Sequence, residues 1–188
     1  MGREIEIKIP LTDAEYESIY NSFTFEHFFK TDRYFSRYDT HEERVQNGEP
    51  RVIRIRTEQD MSLGEKKSYF CIKYKTVQNG IELNTENETF VQDETVIENL
   101  LKVSGYHIYF DKQKDAFSVY SRCDYNDAIE FHLELEKVNG LKYVEIEVTD
   151  GTAPADEVTA ALEKFVTRLG LDVSKKDSRS WMEIINHL

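Results

Sequence analysis

The sequence predicts an α+β domain of about eight mostly antiparallel strands with three or four helices. Three features predict it. Charged and apolar residues alternate with period two in run after run, beginning with Glu4-Ile5-Glu6-Ile7-Lys8. There Glu4, Glu6 and Lys8 share one face, and Ile5, Ile7 and Ile9 the other. Asn-Gly turn signals, Asn79-Gly80 and Asn139-Gly140, join such runs as hairpins. The remaining segments carry apolar residues at helical spacing, some behind capping residues.

The 188 residues suit one domain spanning 1–188 with a sizeable core. Hydrophobic content of 39%, with 11 Tyr and 11 Phe, is that of a folded chain. The formal net charge of −12 argues against a general nucleic-acid or anionic-membrane binder, because such partners need a basic footprint. A local basic pocket inside an acidic shell stays compatible with it. Arg3, Glu4, Glu6 and Lys8 leave no apolar signal-peptide core at the start. No run approaches the roughly 20 apolar residues of a membrane span. Cys71 and Cys123 have neither metal-type spacing nor a disulfide framework, and read as reduced packing thiols. A cytoplasmic protein is expected.

In chain order, Pro10 ends the first strand and Thr12-Asp13-Ala14-Glu15 has the form of a capping box. The helix behind it should reach about Phe23 on a face of Tyr16, Ile19, Tyr20 and Phe23. His27 to Asp39 reads as a strand, Asn47 to Pro50 as a turn, and Arg51 to Thr57 as a strand. Residues 58–68 are polar and predict a mobile loop. Strands come next at Tyr69 to Val77 and Ile81 to Val91, then a helix from the cap Asp93 through Val103, with Gly105 past its end. Tyr106 to Lys114 and Ala116 to Arg122 read as a hairpin, and Ile129 to Val138 and Lys142 to Thr149 as another. Asp150-Gly151 closes the last strand. A helix from Pro154 to Leu169 and a short one near Ser178 to Leu188, docking Trp181, complete the chain.

The charged faces are sorted by sign. Arg54/Arg56, Lys73/Lys75 and Lys112/Lys114 stand against Glu4/Glu6, Glu86/Glu88, Glu134/Glu136 and Glu145/Glu147. On a solvated sheet signs usually intersperse, because like charges opposite one another repel. A lumen with one basic and one carboxylate wall suits a polyphosphate, whose oxygens take Arg and Lys, bound with a hard cation such as Mg²⁺ or Mn²⁺. Cross-strand ion pairs on a solvent-facing sheet are the alternative. Of the five histidines, only His132 lies on a charged strand face as a candidate ligand contact.

In this order the motifs resemble those of the CYTH superfamily of triphosphate-tunnel enzymes over nearly the whole chain. Glu4, Glu6 and Lys8 match its E-x-E-x-K opening, followed by Asp32-Arg33-Tyr34-Phe35, Arg54-Ile55-Arg56, Lys73-Tyr74-Lys75, Glu86-Asn87-Glu88 and Lys112-Gln113-Lys114. Glu136-Lys137-Val138, Glu145-Ile146-Glu147 and Ser180-Trp181-Met182 match its closing segments. The resemblance implies a closed, eight-stranded antiparallel tunnel with the helices outside. Lys8, Arg54, Arg56, Lys73, Lys75, Lys112 and Lys114 would hold phosphates. Glu4, Glu6, Glu136, Glu145 and Glu147 would hold one or two Mg²⁺ or Mn²⁺ ions, with Glu86, Glu88 and Glu134 as further acidic wall. Lys8, Glu6 and Glu145 would carry catalysis. The sequence departs at Asn84-Thr85, where members often place an arginine, at Lys114 for a frequent arginine, and at Glu136 for a common aspartate.

The function this resemblance implies is foremost that of a class IV type adenylyl cyclase, converting ATP to cyclic AMP and pyrophosphate. The alternatives are a triphosphatase acting on inorganic triphosphate, thiamine triphosphate or nucleotides, and a non-catalytic triphosphate-binding module. The expected partner is a small-molecule triphosphate, ATP first, with no nucleic acid and no membrane; a homodimer is left open.

Overall fold

The computed structural model describes residues 2–49, 52–123, 126–148 and 153–186. Among the described residues eight strands are formed: β1 Gly2–Pro10, β2 Glu26–Ser36, β3 Val52–Asp60, β4 Lys66–Gln78, β5 Ile81–Val91, β6 His107–Cys123, β7 Asn126–Val138 and β8 Leu141–Val148. They close into a barrel in the order β1-β5-β4-β3-β2-β6-β7-β8, every neighbour antiparallel. The helices are α1 Asp13–Tyr20, α2 His41–Gln46, α3 Glu94–Val103, α4 Ala155–Arg168 and α5 Trp181–Ile185. No helix among the described residues is long and apolar enough to cross a membrane.

Period-two alternation decides which way each strand faces. Ile5, Ile7 and Ile9 of β1, Phe131, Leu133 and Leu135 of β7, and Val144, Ile146 and Val148 of β8 point outward. They pack under Val158, Ala161, Leu162, Phe165 and Val166 of α4 and under Tyr16 and Ile19 of α1. Leu101 of α3 covers Phe35, Ile53 and Ile55 in a second patch, while Val96 and Leu100 stay exposed. Trp181 and Ile184 of α5 close a third patch over Val138 and Tyr143. The first two patches lie between barrel and helices and the third closes one end of the barrel, which leaves the charged alternate residues for the lumen.

The structure corrects several expectations. Residues 106–122 form no hairpin: β6 runs unbroken, and Ala116 pairs with Phe28 on one side and Glu136 on the other. No residue there adopts the positive φ that a tight hairpin turn demands. The polar stretch 58–68 is a turned hairpin end, with β3 reaching Asp60 and β4 starting at Lys66. The Asp60 carboxylate accepts the Ser62 and Leu63 amides at 2.7 and 2.9 Å, and Gly64 adopts φ +73°. Helix α2 was not foreseen, though Thr40-x-x-Glu43 caps it as a full capping box. The first helix stops at Tyr20, short of Phe23, and the last spans only Trp181–Ile185. The expected features at Pro50, Arg51, Asp150-Gly151 and the final two residues lie outside the described residues.

Candidate functional site

Closure of the barrel turns a sorted sequence into two facing walls. The acidic strands β7, β8, β1 and β5 are consecutive around the barrel, and so are the basic strands β4, β3, β2 and β6. Between them lies a cavity of about 680 Å³. Glu4, Glu6, Glu82, Glu86, Glu88, Glu145 and Glu147 line it from one wall. Lys30, Arg54, Arg56, Lys73, Lys75 and Lys112 line it from the other. Lys8 and Arg3 are cations of the acidic wall, and Asp32 and Glu58 are carboxylates of the basic one.

The walls neutralise each other. Lys73 Nζ lies 2.9 Å from both Glu4 and Glu6, and 3.7 Å from Glu86. Arg54 reaches Glu86 and Glu88 at 3.5 and 3.6 Å. Lys75 pairs with Glu82, and Lys30 with Glu134 at 2.5 Å and Glu58 at 3.1 Å. Arg56 holds the fully buried Asp32 with two hydrogen bonds, from Nε at 2.7 Å and Nη2 at 3.0 Å. These pairs, some across the lumen and some between neighbouring strands, permit like charges to sit opposite one another along the ladders: Glu6 beside both Glu82 and Glu147, Glu134 beside Glu145, Lys30 beside Lys114.

No protein-family model matches the chain, and no curated protein sequence does. Solved structures match it over nearly its full length. PH1819 of Pyrococcus horikoshii superposes with a TM-score of 0.79 at 22% identity, over 98% of each chain. A candidate adenylate cyclase of Vibrio parahaemolyticus gives 0.67 at 15% identity, over 97% of each chain. HpAC1 of Hippeastrum, a candidate adenylyl cyclase with a dominant triphosphatase activity, gives 0.67 at 14% identity, over 100% of this chain and 96% of that one. This chain shares the closed, eight-stranded antiparallel barrel fold of these structures.

Of the residues expected in the tunnel, Lys8, Arg54, Arg56, Lys73, Lys75, Lys112, Glu4, Glu6, Glu86, Glu88, Glu145 and Glu147 all line its cavity. Lys114, Glu134 and Glu136 form a tighter cluster: Lys114 donates to Glu134 at 2.6 Å and also to Glu136, and all three are buried. Sequence reasoning missed Lys30 and Glu58, and left Glu82, on the acidic face of Glu86 and Glu88, and Asn84 out of the phosphate and cation sets. Lys30 shares the face of Asp32 by period two, a signal hidden inside the aromatic run Phe28-Phe29. Trp181, expected as a core anchor, is one, in edge contact with Tyr143 at 4.9 Å. It also lines the cavity, with Lys112 Nζ 4.9 Å from its ring.

A hard divalent cation needs a few carboxylate oxygens and leaves room for water and phosphate oxygens. Glu4, Glu6 and Glu147 offer oxygens within 4.8 Å of one another, and so do Glu134, Glu136 and Glu145. In each set a lysine ammonium already sits among the carboxylates, Lys73 in the first and Lys114 in the second. Both sets therefore accommodate positive charge, and the Oε2 of Glu136 is buried without a hydrogen-bond partner. The first set borders the open cavity and fits Mg²⁺ or Mn²⁺ better. A third group, Cys71, Glu86 and Glu88, has Arg54 within 3.6 Å of both carboxylates and suits a cation poorly.

Protonation in the tunnel is set by burial against this charge lattice. Burial, helped by the neighbouring Glu147 and Glu86, pushes the Glu4 carboxyl up to about 8 despite Lys73. Burial and Glu6 together push Glu82 up to about 7. Burial also brings the Lys112 ammonium down to about 8 and that of Lys114 to about 7. A triphosphate bound here would add negative charge and raise all four values, so its binding would take up protons. Metal-free ATP should therefore bind more tightly as pH falls from 9 to 7, a range in which its terminal phosphate, with a pKa of about 6, keeps its charge. Calorimetry in buffers of different ionisation enthalpy reads both the affinity and the proton count; proton release on binding would contradict this.

Proposed function

We propose that this chain is a metal-dependent enzyme that cleaves a nucleoside or organic triphosphate inside the tunnel, foremost an adenylyl cyclase of the class IV type. The observation that carries the reading is the pair of opposed charged walls across the 680 Å³ cavity. A triphosphate arriving with its cation can replace the pairs at Lys73: phosphate oxygens would take Lys73 together with Arg54 and Arg56, and Glu4 and Glu6, released by Lys73, would turn to Mg²⁺ or Mn²⁺. Arg54 and Arg56 offer forked donors suited to phosphate, and Lys73 a movable point charge. Glu4, Glu6 and Glu147 would hold the cation. When bound, it supplies charge neutralisation at the phosphorus under attack.

Glu145 supports a catalytic role for this chain's own residues. It faces Lys8 across the β1–β8 ladder and makes no ion pair with the described residues. Lys114, Lys8 and Lys112 outweigh its burial and hold its carboxyl below the usual range, so it is ionised at neutral pH. It can then accept the proton of the attacking hydroxyl, the ribose 3′-hydroxyl in a cyclase and water in a hydrolase.

The hydrolase is the second reading, favoured by HpAC1, which pairs the same fold with a dominant triphosphatase activity. Incubation of the purified protein with ATP and Mn²⁺ separates the two: cyclic AMP with pyrophosphate marks the cyclase, ADP with phosphate the hydrolase. Inorganic triphosphate, which only a hydrolase can consume, is the second substrate. Absence of product from both substrates with either metal would overturn the enzyme reading and leave a binding module.

A further inference from the structure

The lumen has two unlike ends. The segment 177–182 lies across one of them. Lys8 Nζ donates to the Arg179 carbonyl at 2.5 Å, Lys75 Nζ donates to that of Ser178 at 2.9 Å, and the Trp181 ring sits by Lys112. The inward residues of β8 lead away from this end: Tyr143 against Trp181, then Glu145, then Glu147. Their β7 partners are Glu136, Glu134 and His132, and the β6 partners of those are Ala116, Ser118 and Tyr120. Tyr120 and His132 therefore stand at the end away from the tail.

At that rim the Tyr120 side chain lines the cavity yet is 66% exposed. Its ring centroid is 4.8 Å from the His132 imidazole with the planes 30° apart, and His132 Nδ1 contacts Glu147 at 2.8 Å. An aromatic ring backed on one side by an oriented imidazole offers its other face at small entropic cost, having only two side-chain torsions to fix. Nothing in the phosphate or cation chemistry described above uses that face.

We propose that Tyr120, backed by His132, seats an aromatic or heterocyclic group carried by the triphosphate, a nucleobase or a comparable ring. The proposal rests on the reading of the lumen as a triphosphate site and assigns the organic end of the substrate to the open rim. Two observations set that direction. The tail occupies two lysines and lies across the other end, and the exposed aromatic face lies next to Glu147, one of the candidate cation ligands. Stacking tolerates any base with a π-face, so the site selects for a ring rather than for one base. Inorganic triphosphate has nothing to place there.

The test compares ATP with inorganic triphosphate by calorimetry in metal-free buffer, where neither should turn over, on the wild type, Tyr120→Ala and Tyr120→Phe. Tyr120→Ala should weaken ATP about tenfold, the effect of one lost base–aromatic stack, and inorganic triphosphate by less than about twofold. Tyr120→Phe should bind both as the wild type does. Equal losses for the two ligands, or an unchanged ATP affinity in Tyr120→Ala, would overturn the seat while leaving the tunnel reading intact. A wild type that binds neither ligand would overturn the tunnel reading itself, and the seat with it.

Discussion

Glu6→Gln should abolish metal-dependent turnover and leave the barrel folded. Glu6 is buried on β1, between Glu82 on one ladder and Glu147 on the other. Burial works against its charge, yet Lys73 and Lys8, with the hydrogen bonds it accepts, outweigh burial and lower its carboxyl to about 2. It is therefore a carboxylate at any working pH. Glutamine keeps the shape and one oxygen but loses the charge that a hard cation requires. Turnover should fall by on the order of 100-fold or more, as when an electrostatic group is taken from a preorganised site. The structural cost is limited, because Lys73 keeps Glu4 at 2.9 Å and Glu86 at 3.7 Å. A metal titration of activity alongside a thermal melt reads both effects. Wild-type activity in Glu6→Gln would remove this residue from the cation site.

Arg56→Ala should weaken triphosphate binding by about 1.5–3 kcal/mol, the loss of a hydrogen bond to a charged group. It should also destabilise the protein, because the fully buried Asp32 loses its two-pronged partner. Removing one member of a buried pair costs about 3–5 kcal/mol. Here Lys112 at 3.6 Å and Arg54 at 4.0 Å remain near Asp32 and soften the loss. The two effects separate in the double variant Asp32→Leu with Arg56→Met, which removes both charges together. Its stability should recover relative to Arg56→Ala, and its triphosphate affinity should not. Unchanged affinity in either variant would take Arg56 out of the grip.

Much of this architecture is legible in the sequence because the polarity of the strands is so regular. The alternation at Glu4-Ile5-Glu6-Ile7-Lys8 and at Phe131-His132-Leu133-Glu134 assigns strand and face at once. Partnership across long separations is not local information. That β1 lies between β5 and β8, or β2 between β3 and β6, emerges only from closure. Closure is also what gathers the like-signed strands into walls. The false break near Asp115-Ala116 arose because a small residue separates a lysine pair from an aromatic run, although nothing there can turn the chain. The polar composition of 58–68 hid strand extensions that are held by ladder pairing and an aspartate-capped turn rather than by apolar burial. The tail's hold on the tunnel lysines is equally hidden. Carbonyls of Ser178 and Arg179 bind Lys75 and Lys8, and every residue offers a carbonyl, so no side-chain pattern marks them.

The most direct measurement is a crystal structure of the protein with a non-hydrolysable ATP analogue and Mn²⁺. The triphosphate should lie inside the barrel on Arg54, Arg56 and Lys73, with the metal on Glu4 and Glu6 and the cross-lumen pairs to Lys73 opened. An analogue bound to the outer surface, with Lys73 still held by Glu4 and Glu6 and the lumen filled by water alone, would contradict it.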